Sequence, residues 1–243
     1  MPACRRGCCA NASGTTMAAE VADVARAVTV PLAKGMRTER SEFLWHSDGP
    51  AHIHGHVARP VVMQLDRVDA RSVLDLGCGN GWLTAALSRC GFDVVGLDSS
   101  HSGIQIARQA HSELTWRQAD ALLPPAEDLR GHFDAVVAVE TVDHVAQPRL
   151  LLQHALQMLR PGGWLLVTVP YHGYLKNLGV ALSGRFDLRL HALQDHGRLK
   201  FFSRRTLMAL VAEAGFVEVK FQALGRLPAI ARSMLISARK PLE

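Results

Sequence analysis

From residue 72 onward, short apolar runs rich in Val and Leu alternate with longer stretches whose apolar positions recur every three or four residues. Continuous apolar runs of this length read as strands buried on both faces, and the intervening pattern as crossover helices. The alternation predicts strands at 72–76, 93–98, 115–119, 133–139 and 164–169, with helices at 82–90, 102–110 and 148–159. Gly91 and Pro161-Gly162-Gly163 supply the helix stops. Beyond Pro170 the period breaks: residues 171–200 mix aromatic, His, Gly and basic positions without a clean repeat. A helix at 203–214, stopped by Gly215, and strands at 216–224 and 234–239 resume the pattern. Upstream, 17–33 reads as one amphipathic helix, 45–56 as a loop carrying His46, His52, His54 and His56, and 57–65 as the approach to the first strand. The expected organisation is a disordered tail at 1–16, a helical cap at 17–70 and an α/β domain at 71–243 with an insertion at 171–200.

The chain has 243 residues, 48% hydrophobic and 20% charged, enough for one domain with an appendage and a large core. No apolar run approaches the roughly 18–20 residues that cross a bilayer, which excludes a helical membrane span. A net charge of +5 permits an anionic partner without requiring one. Residues 184–243 hold eleven Lys/Arg against five acids, yet in no extended basic run, so a solvated basic face is favoured over a nucleic-acid groove. Five cysteines are too few for a disulfide framework: Cys4, Cys8 and Cys9 lie in the tail, Cys78 and Cys90 in the α/β pattern. A reducing cytoplasm is the expected compartment, 1–16 lacks the apolar segment of a secretion signal, and Met17 is an alternative start.

The strongest local signal is Val73-Leu74-Asp75-Leu76-Gly77-Cys78-Gly79-Asn80-Gly81, a strand ending in three alternate glycines before a helix. Glycines let a ligand approach the backbone, and free N–H groups point outward at a helix start. A dinucleotide loop requires G-x-G-x-x-G, but position 82 is Trp. The spacing instead resembles the D-x-G-x-G-x-G loop of class I S-adenosylmethionine-dependent methyltransferases, and the resemblance runs over about 57–240. It implies a Rossmann-like seven-stranded, mostly parallel sheet with an N-terminal helical cap and an insertion after strand 5. It also implies S-adenosylmethionine as cofactor and S-adenosylhomocysteine as product. By that resemblance Asp98 takes the ribose hydroxyls, Asp120 meets the adenine amino group, and Asp75 with the backbone around Gly77 and Gly79 holds the aminoacyl end, with Cys78, Gly81, Ser99, Ala121 and Glu140 as further cofactor-binding residues. A carboxylate suits ribose and adenine amino groups because it only accepts hydrogen bonds.

The segments from Phe133 to Val145 and Leu159 to Gly163 are most similar to the quinone-biosynthesis branch, whose members methylate a ring hydroxyl of a polyprenylated phenol. Two departures stand out: that branch usually carries Glu where Asp143 stands, and 171–200 differs from it. The resemblance points to a small-molecule acceptor. His144, after the fourth strand, is the candidate base, and Glu140, Asp143 and His144 at i, i+3 and i+4 would share one face if a helix starts there. In relatives an equivalent acid–acid–His cluster is associated with a divalent metal. Thr141 offers no carboxylate here, so a carboxylate pair orienting His144 is favoured over a metal. Tyr171, His172, Tyr174, His196 and Phe201, with Asp195, are the candidate acceptor-binding residues. Leu175, Leu178, Val180, Ala181 and Leu182 beside Lys176 and Arg185 leave peripheral contact with a membrane surface open. One or two of the loop histidines, with Trp45 against the cofactor, would belong to the cap. Two other function classes stay open: an RNA-modifying enzyme using the basic C-terminal face, and a cofactor-binding interaction module without catalysis.

Overall fold

A computed structural model describes residues 44–50, 54–184, 197–225, 227 and 231–243, all within the contact unit Glu42–Glu243. The expected tail at 1–16, the helix at 17–33 and the residues His52, Arg185, Asp195 and His196 lie outside the described residues. In chain order the elements are α1 (His54–Arg67), β1 (Ser72–Leu76), α2 (Trp82–Arg89), β2 (Asp93–Asp98), α3 (His101–Ala110), β3 (Thr115–Gln118) and β4 (Phe133–Val139). They continue with α4 (Pro148–Met158), β5 (Leu159–Pro170), α5 (Tyr174–Leu182), α6 (Arg204–Glu213), β6 (Val217–Leu224) and β7 (Ser233–Arg239).

The seven strands form one sheet in the order β3-β2-β1-β4-β5-β7-β6, and β7 runs antiparallel to both of its neighbours. The remaining pairs are parallel. Strand residues alternate between two cores, as a period of two demands. Leu74, Leu76, Val136, Ala138, Leu165 and Val167 face a cluster completed by Leu151, Leu152 and Ala155 of α4 and Leu207 and Leu210 of α6. Val73, Ala135, Val137 and Leu166 face the opposite cluster with Val57, Val61 and Leu65 of α1 and Leu83 and Leu87 of α2. Burial on both sides explains why these strands carry almost no polar residue. Among the few exceptions, Asp75 is 1% exposed and Thr168 fully buried.

Strand order reverses at β1, whose two neighbours are β2 and β4. Connections from these strands leave in opposite directions, which opens a crevice at their carboxyl ends, the usual ligand position in an open α/β sheet. The first strands and helices coincide closely with the pattern-based expectation. Three features differ. β5 begins at Leu159, taking in the turn residues Pro161-Gly162-Gly163 before its buried run. A helix, α5, stands inside the segment expected to lack regular structure, yet none of its residues is buried, and Tyr174 and Leu182 are 81% and 80% exposed. No helix starts at Glu140; residues 140–146 form bends and turns. No helix among the described residues is long and apolar enough to cross a membrane.

Candidate active site

At the tip of β1 the N–H groups of Gly77 and Cys78 both donate to the carbonyl of Leu97, at 2.7 and 3.1 Å, so the chain folds over the end of β2. Gly77, Gly79 and Gly81 have φ of 82°, 55° and 81°, a left-handed region costly for residues with a Cβ. Space forbids a side chain as well. A Cβ on Gly81 would lie 2.5 Å from the Trp116 ring and 2.7 Å from Ala107, and one on Gly77 would collide with the Thr141 side chain. The indole of Trp45 fills the equivalent space at Gly79, and the Trp45 backbone N–H donates to Ser102 Oγ at 3.3 Å. Asn80 Nδ2 donates to the carbonyls of Ser47 and Gly49, at 2.8 and 2.9 Å, tying the segment that carries Trp45 to the glycine loop.

Carboxylates surround this loop at different depths. Asp98 at the end of β2 accepts from Gly79 N–H at 2.8 Å through Oδ2 and from Ser100 N–H at 2.7 Å through Oδ1, while Ser99 is exposed. Asp120 is exposed past β3, its Oδ1 accepting from Leu122 N–H at 2.9 Å, and the Ala121 carbonyl is bonded to His154 Nδ1 at 2.9 Å. Asp75 sits beneath the loop and accepts the Thr84 hydroxyl at 2.7 Å. Burial pushes its pKa up to about 7 against the pull of that hydrogen bond. Burial, and the nearby Asp75 and Asp98, push the Cys78 thiol well above its ordinary range, so it is a packing residue rather than a reactive one.

The second loop of the crevice follows β4. Glu140 adopts φ 53° and donates its N–H to the Thr168 carbonyl at 2.9 Å, which turns the chain out of the sheet. Thr141 Oγ1 donates to the Leu76 carbonyl at 3.1 Å, joining this turn to the end of β1. The His144 N–H donates to the Thr141 carbonyl at 3.1 Å. A turn, not a helical face, thus gathers the three residues, because the left-handed Glu140 breaks helical continuity at its start. Asp143 is 1% exposed, and its Oδ2 lies 3.9 Å from His144 Nε2. Arg198 reaches both acids, with Nε on Asp143 Oδ2 at 2.9 Å and Nη2 on Glu140 Oε2 at 3.3 Å. Burial, then the charge of Asp143, raises Glu140 to about 8, with Arg198 opposing. Burial also raises Asp143, while His144 and Arg198 hold it back.

Tyr171, His172 and Tyr174 line a cavity of about 510 Å³ with Gly173, Ser203, Arg204, Arg205 and Met208. Phe201 packs edge-on against His172, ring centroids 5.1 Å apart. Burial, followed by Lys176 and Arg198, lowers the His172 pKa. Four of the five expected acceptor residues therefore gather at the junction of β5, α5 and α6. Of the loop histidines, His56 is bonded to Ser233 Oγ at 3.1 Å. Among the described residues no three His, Cys, Asp or Glu are arranged to hold a metal ion. Arg198 escaped the sequence reading. It lies 55 residues from Asp143 in an aperiodic stretch, so only tertiary structure pairs them. Thr141 was visible in the sequence only as a missing carboxylate, not as the bond between the two loops.

A glycine cradle over the central strand, acids at the next two strand ends and an adjoining turn after β4 define a class I methyltransferase. The chain belongs to the methyltransferase domain family, whose model matches residues 32–220. The ubiquinone biosynthesis O-methyltransferase of Azorhizobium caulinodans is 34% identical over 166 residues, 67% of this chain and 63% of the relative. The enzyme of the same name from Cereibacter sphaeroides is 35% identical over 147 residues, 59% of each chain. This chain thus spans under two thirds of the length of these relatives. Among solved structures, a possible histamine N-methyltransferase from Thermotoga maritima has a TM-score of 0.58 at 22% identity, covering 77% of this chain and 91% of that one. The [4+2]-cyclase SpnF has a TM-score of 0.62 at 20% identity, covering 82% and 87%, which shows a shared fold and leaves chemistry to the site. S-adenosylmethionine is the cofactor of the family, and carboxylates at the end of β2 and just past β3, beside a tight glycine turn, fit it.

Proposed function

We propose that the chain transfers the methyl group of S-adenosylmethionine to a hydroxyl oxygen of a small molecule, phenolic or quinol-like, with His144 as the base. One observation carries this reading. Thr141 donates to the Leu76 carbonyl and packs beside Gly77, so the turn bearing Asp143 and His144 abuts the cofactor cradle. The relatives named for ubiquinone O-methylation, 34% and 35% identical, support oxygen as the acceptor atom.

When bound, the cofactor supplies a methyl group already activated by its sulfonium, so the chain's tasks are alignment and removal of a proton. Asp98 would hold the ribose, Asp120 the adenine amino group, and Asp75 and the backbone around Gly77 and Gly79 the aminoacyl end, with Cys78, Gly81, Ser99, Ala121 and Glu140 lining the cofactor. His144 takes the hydrogen of the acceptor hydroxyl. Asp143, 3.9 Å from its Nε2, orients the imidazole and stabilises the charge it gains. Tyr171, His172, Tyr174 and Phe201, together with His196, receive the acceptor's ring. The segment 44–50 acts as a cap on the glycine loop, a reading supported by Trp45 lying on Gly79 and by the Asn80 bonds to Ser47 and Gly49.

The test is a panel of catechols, quinols, amines and RNA with methyl-labelled cofactor. Label is expected on a phenolic or quinol oxygen, and His144→Ala is expected to cut the rate by about 10²–10⁴-fold, the usual worth of a general base, with S-adenosylhomocysteine binding intact. Label only on amines or RNA, or on nothing, overturns the reading.

A further inference from the structure

We propose that Arg198 is the built-in cation of the Glu140–Asp143 acid pair, a positioning residue standing where a divalent ion would have to sit. The inference deepens the functional reading above and rests on it for the identity of the acceptor, though not for the geometry. The Arg198 side chain spans the two acids, at 2.9 Å from Asp143 and 3.3 Å from Glu140. Its neighbours fasten the same spot. The N–H groups of Leu199 and Lys200 both donate to the Asp143 carbonyl, at 2.8 and 3.0 Å. Four bonds from three consecutive residues therefore stitch this segment to the turn after β4.

A guanidinium cannot be deprotonated in a protein, and its planar fork matches carboxylate geometry. Its charge stays beside the acids at every pH at which the fold exists. A divalent cation on the same carboxylates would face that charge at contact range, and Asp143 Oδ2, the acid oxygen paired with His144, is already bonded to Arg198. The donor set offers no escape, since Thr141 replaces a further carboxylate and no metal-competent group of three is present among the described residues. The residues do not fit a metal; they fit an internal ion pair.

Each acid keeps one oxygen out of this pairing. Glu140 Oε1 and Asp143 Oδ1 are buried and have no hydrogen-bond partner among the described residues. Buried acceptors in a native site are normally satisfied. Both are shut off from solvent, and Arg198 fixes the other oxygen of each acid. Arg198 thus couples the segment beyond α5 to the orientation of Asp143 and, through it, of His144.

The experiment uses the full chain and three forms: wild type, Arg198→Gln and Arg198→Lys. Manganese(II) is titrated into wild type while its free six-line paramagnetic resonance signal is followed. The signal is expected to stay undiminished; one tightly bound manganese per chain, lost in Glu140→Gln, overturns the proposal. Binding of S-adenosylhomocysteine by Arg198→Gln is expected within about two-fold of wild type, which also reports that the variant folds. With the best acceptor from the panel, kcat of Arg198→Gln is expected to fall on the order of a hundred-fold, about 2.7 kcal/mol by the tenfold-per-1.36 rule, with KM for the methyl donor unchanged and Arg198→Lys recovering part of it. Unchanged kcat in Arg198→Gln sinks the positioning role. Should no acceptor be methylated, the functional reading fails while the manganese titration still decides whether the acid pair is a metal site.

Discussion

The two loops that meet at Thr141 are held by different means. The glycine loop after β1 is shaped by backbone and by exclusion of volume: left-handed glycines, N–H groups on Leu97 and Asp98, and neighbours that leave no room for a Cβ. The acceptor side beyond β5 is held by side chains reaching across long sequence distances, with Arg198 on two acids and Lys176 on the carbonyls of Tyr171 and Ala231. Its helix α5 buries none of its residues. A site built from backbone tolerates few substitutions but binds a constant ligand. One built from long side chains can be altered one residue at a time, which suits the half of the site proposed to receive the acceptor.

Substitutions can break this contrast in order of severity. Gly81→Ala combines a left-handed φ of 81° with collision against Trp116 and Ala107. Its cost is expected at roughly 2–5 kcal/mol, the sum of the left-handed penalty and overpacking, measured by urea unfolding. Gly184→Ala, with φ 64° and open space around it, should lose only about 1–2 kcal/mol. Equal losses would erase the distinction between the two regions. Asp98→Ala removes a carboxylate that orders the glycine loop, and S-adenosylhomocysteine affinity measured by calorimetry should fall by about 1.5–3 kcal/mol, as for hydrogen bonds to a charged group, with the fold retained.

On the acceptor side, Glu140 gives a pH signature. Its folded pKa of about 8 lies above its ordinary 4.5, so between these values the native state holds a proton that the unfolded chain has released. Its contribution to stability is full below about 4.5 and is lost as pH rises through about 8. Glu140→Gln lacks this slope, and the melting temperature of the variant relative to wild type should climb from pH 5 to pH 8. Asp75, raised to about 7, contributes its own slope to both proteins and cancels in the comparison. The smallest effect belongs to Ser203, which caps α6 by accepting from Thr206 N–H while Thr206 Oγ1 accepts from Ser203 N–H. Ser203→Ala should cost about 1 kcal/mol in thermal unfolding, without changing cofactor affinity.

The same contrast decides what could be read from the sequence. β1, β2 and β4 were legible to the residue because burial on both faces leaves a mostly apolar run, and the glycine loop because its spacing is local. Asp143 and His144 were legible as neighbours, but their arrangement was not. The left-handed turn at Glu140, a residue type that rarely adopts it, leaves no local signature, and the shared face that a helix starting there would have given does not form. α5 escaped because a helix that buries nothing has no reason to keep a sharp apolar period. Arg198 escaped because ion pairs over 55 residues are a property of the folded chain.

The placement of β7 sets the order in which the molecule can be finished. This strand lies between β5 and β6, yet it is the last of the three to leave the ribosome. Until residues 233–239 emerge, the edge of β5 presents unpaired N–H and C=O groups above the apolar side chains of Leu165, Leu166 and Val167. An open apolar edge of that kind is a template for pairing with another chain. A nascent chain stalled before β7 has emerged would therefore be a candidate for chaperone capture, although its glycine loop is already made.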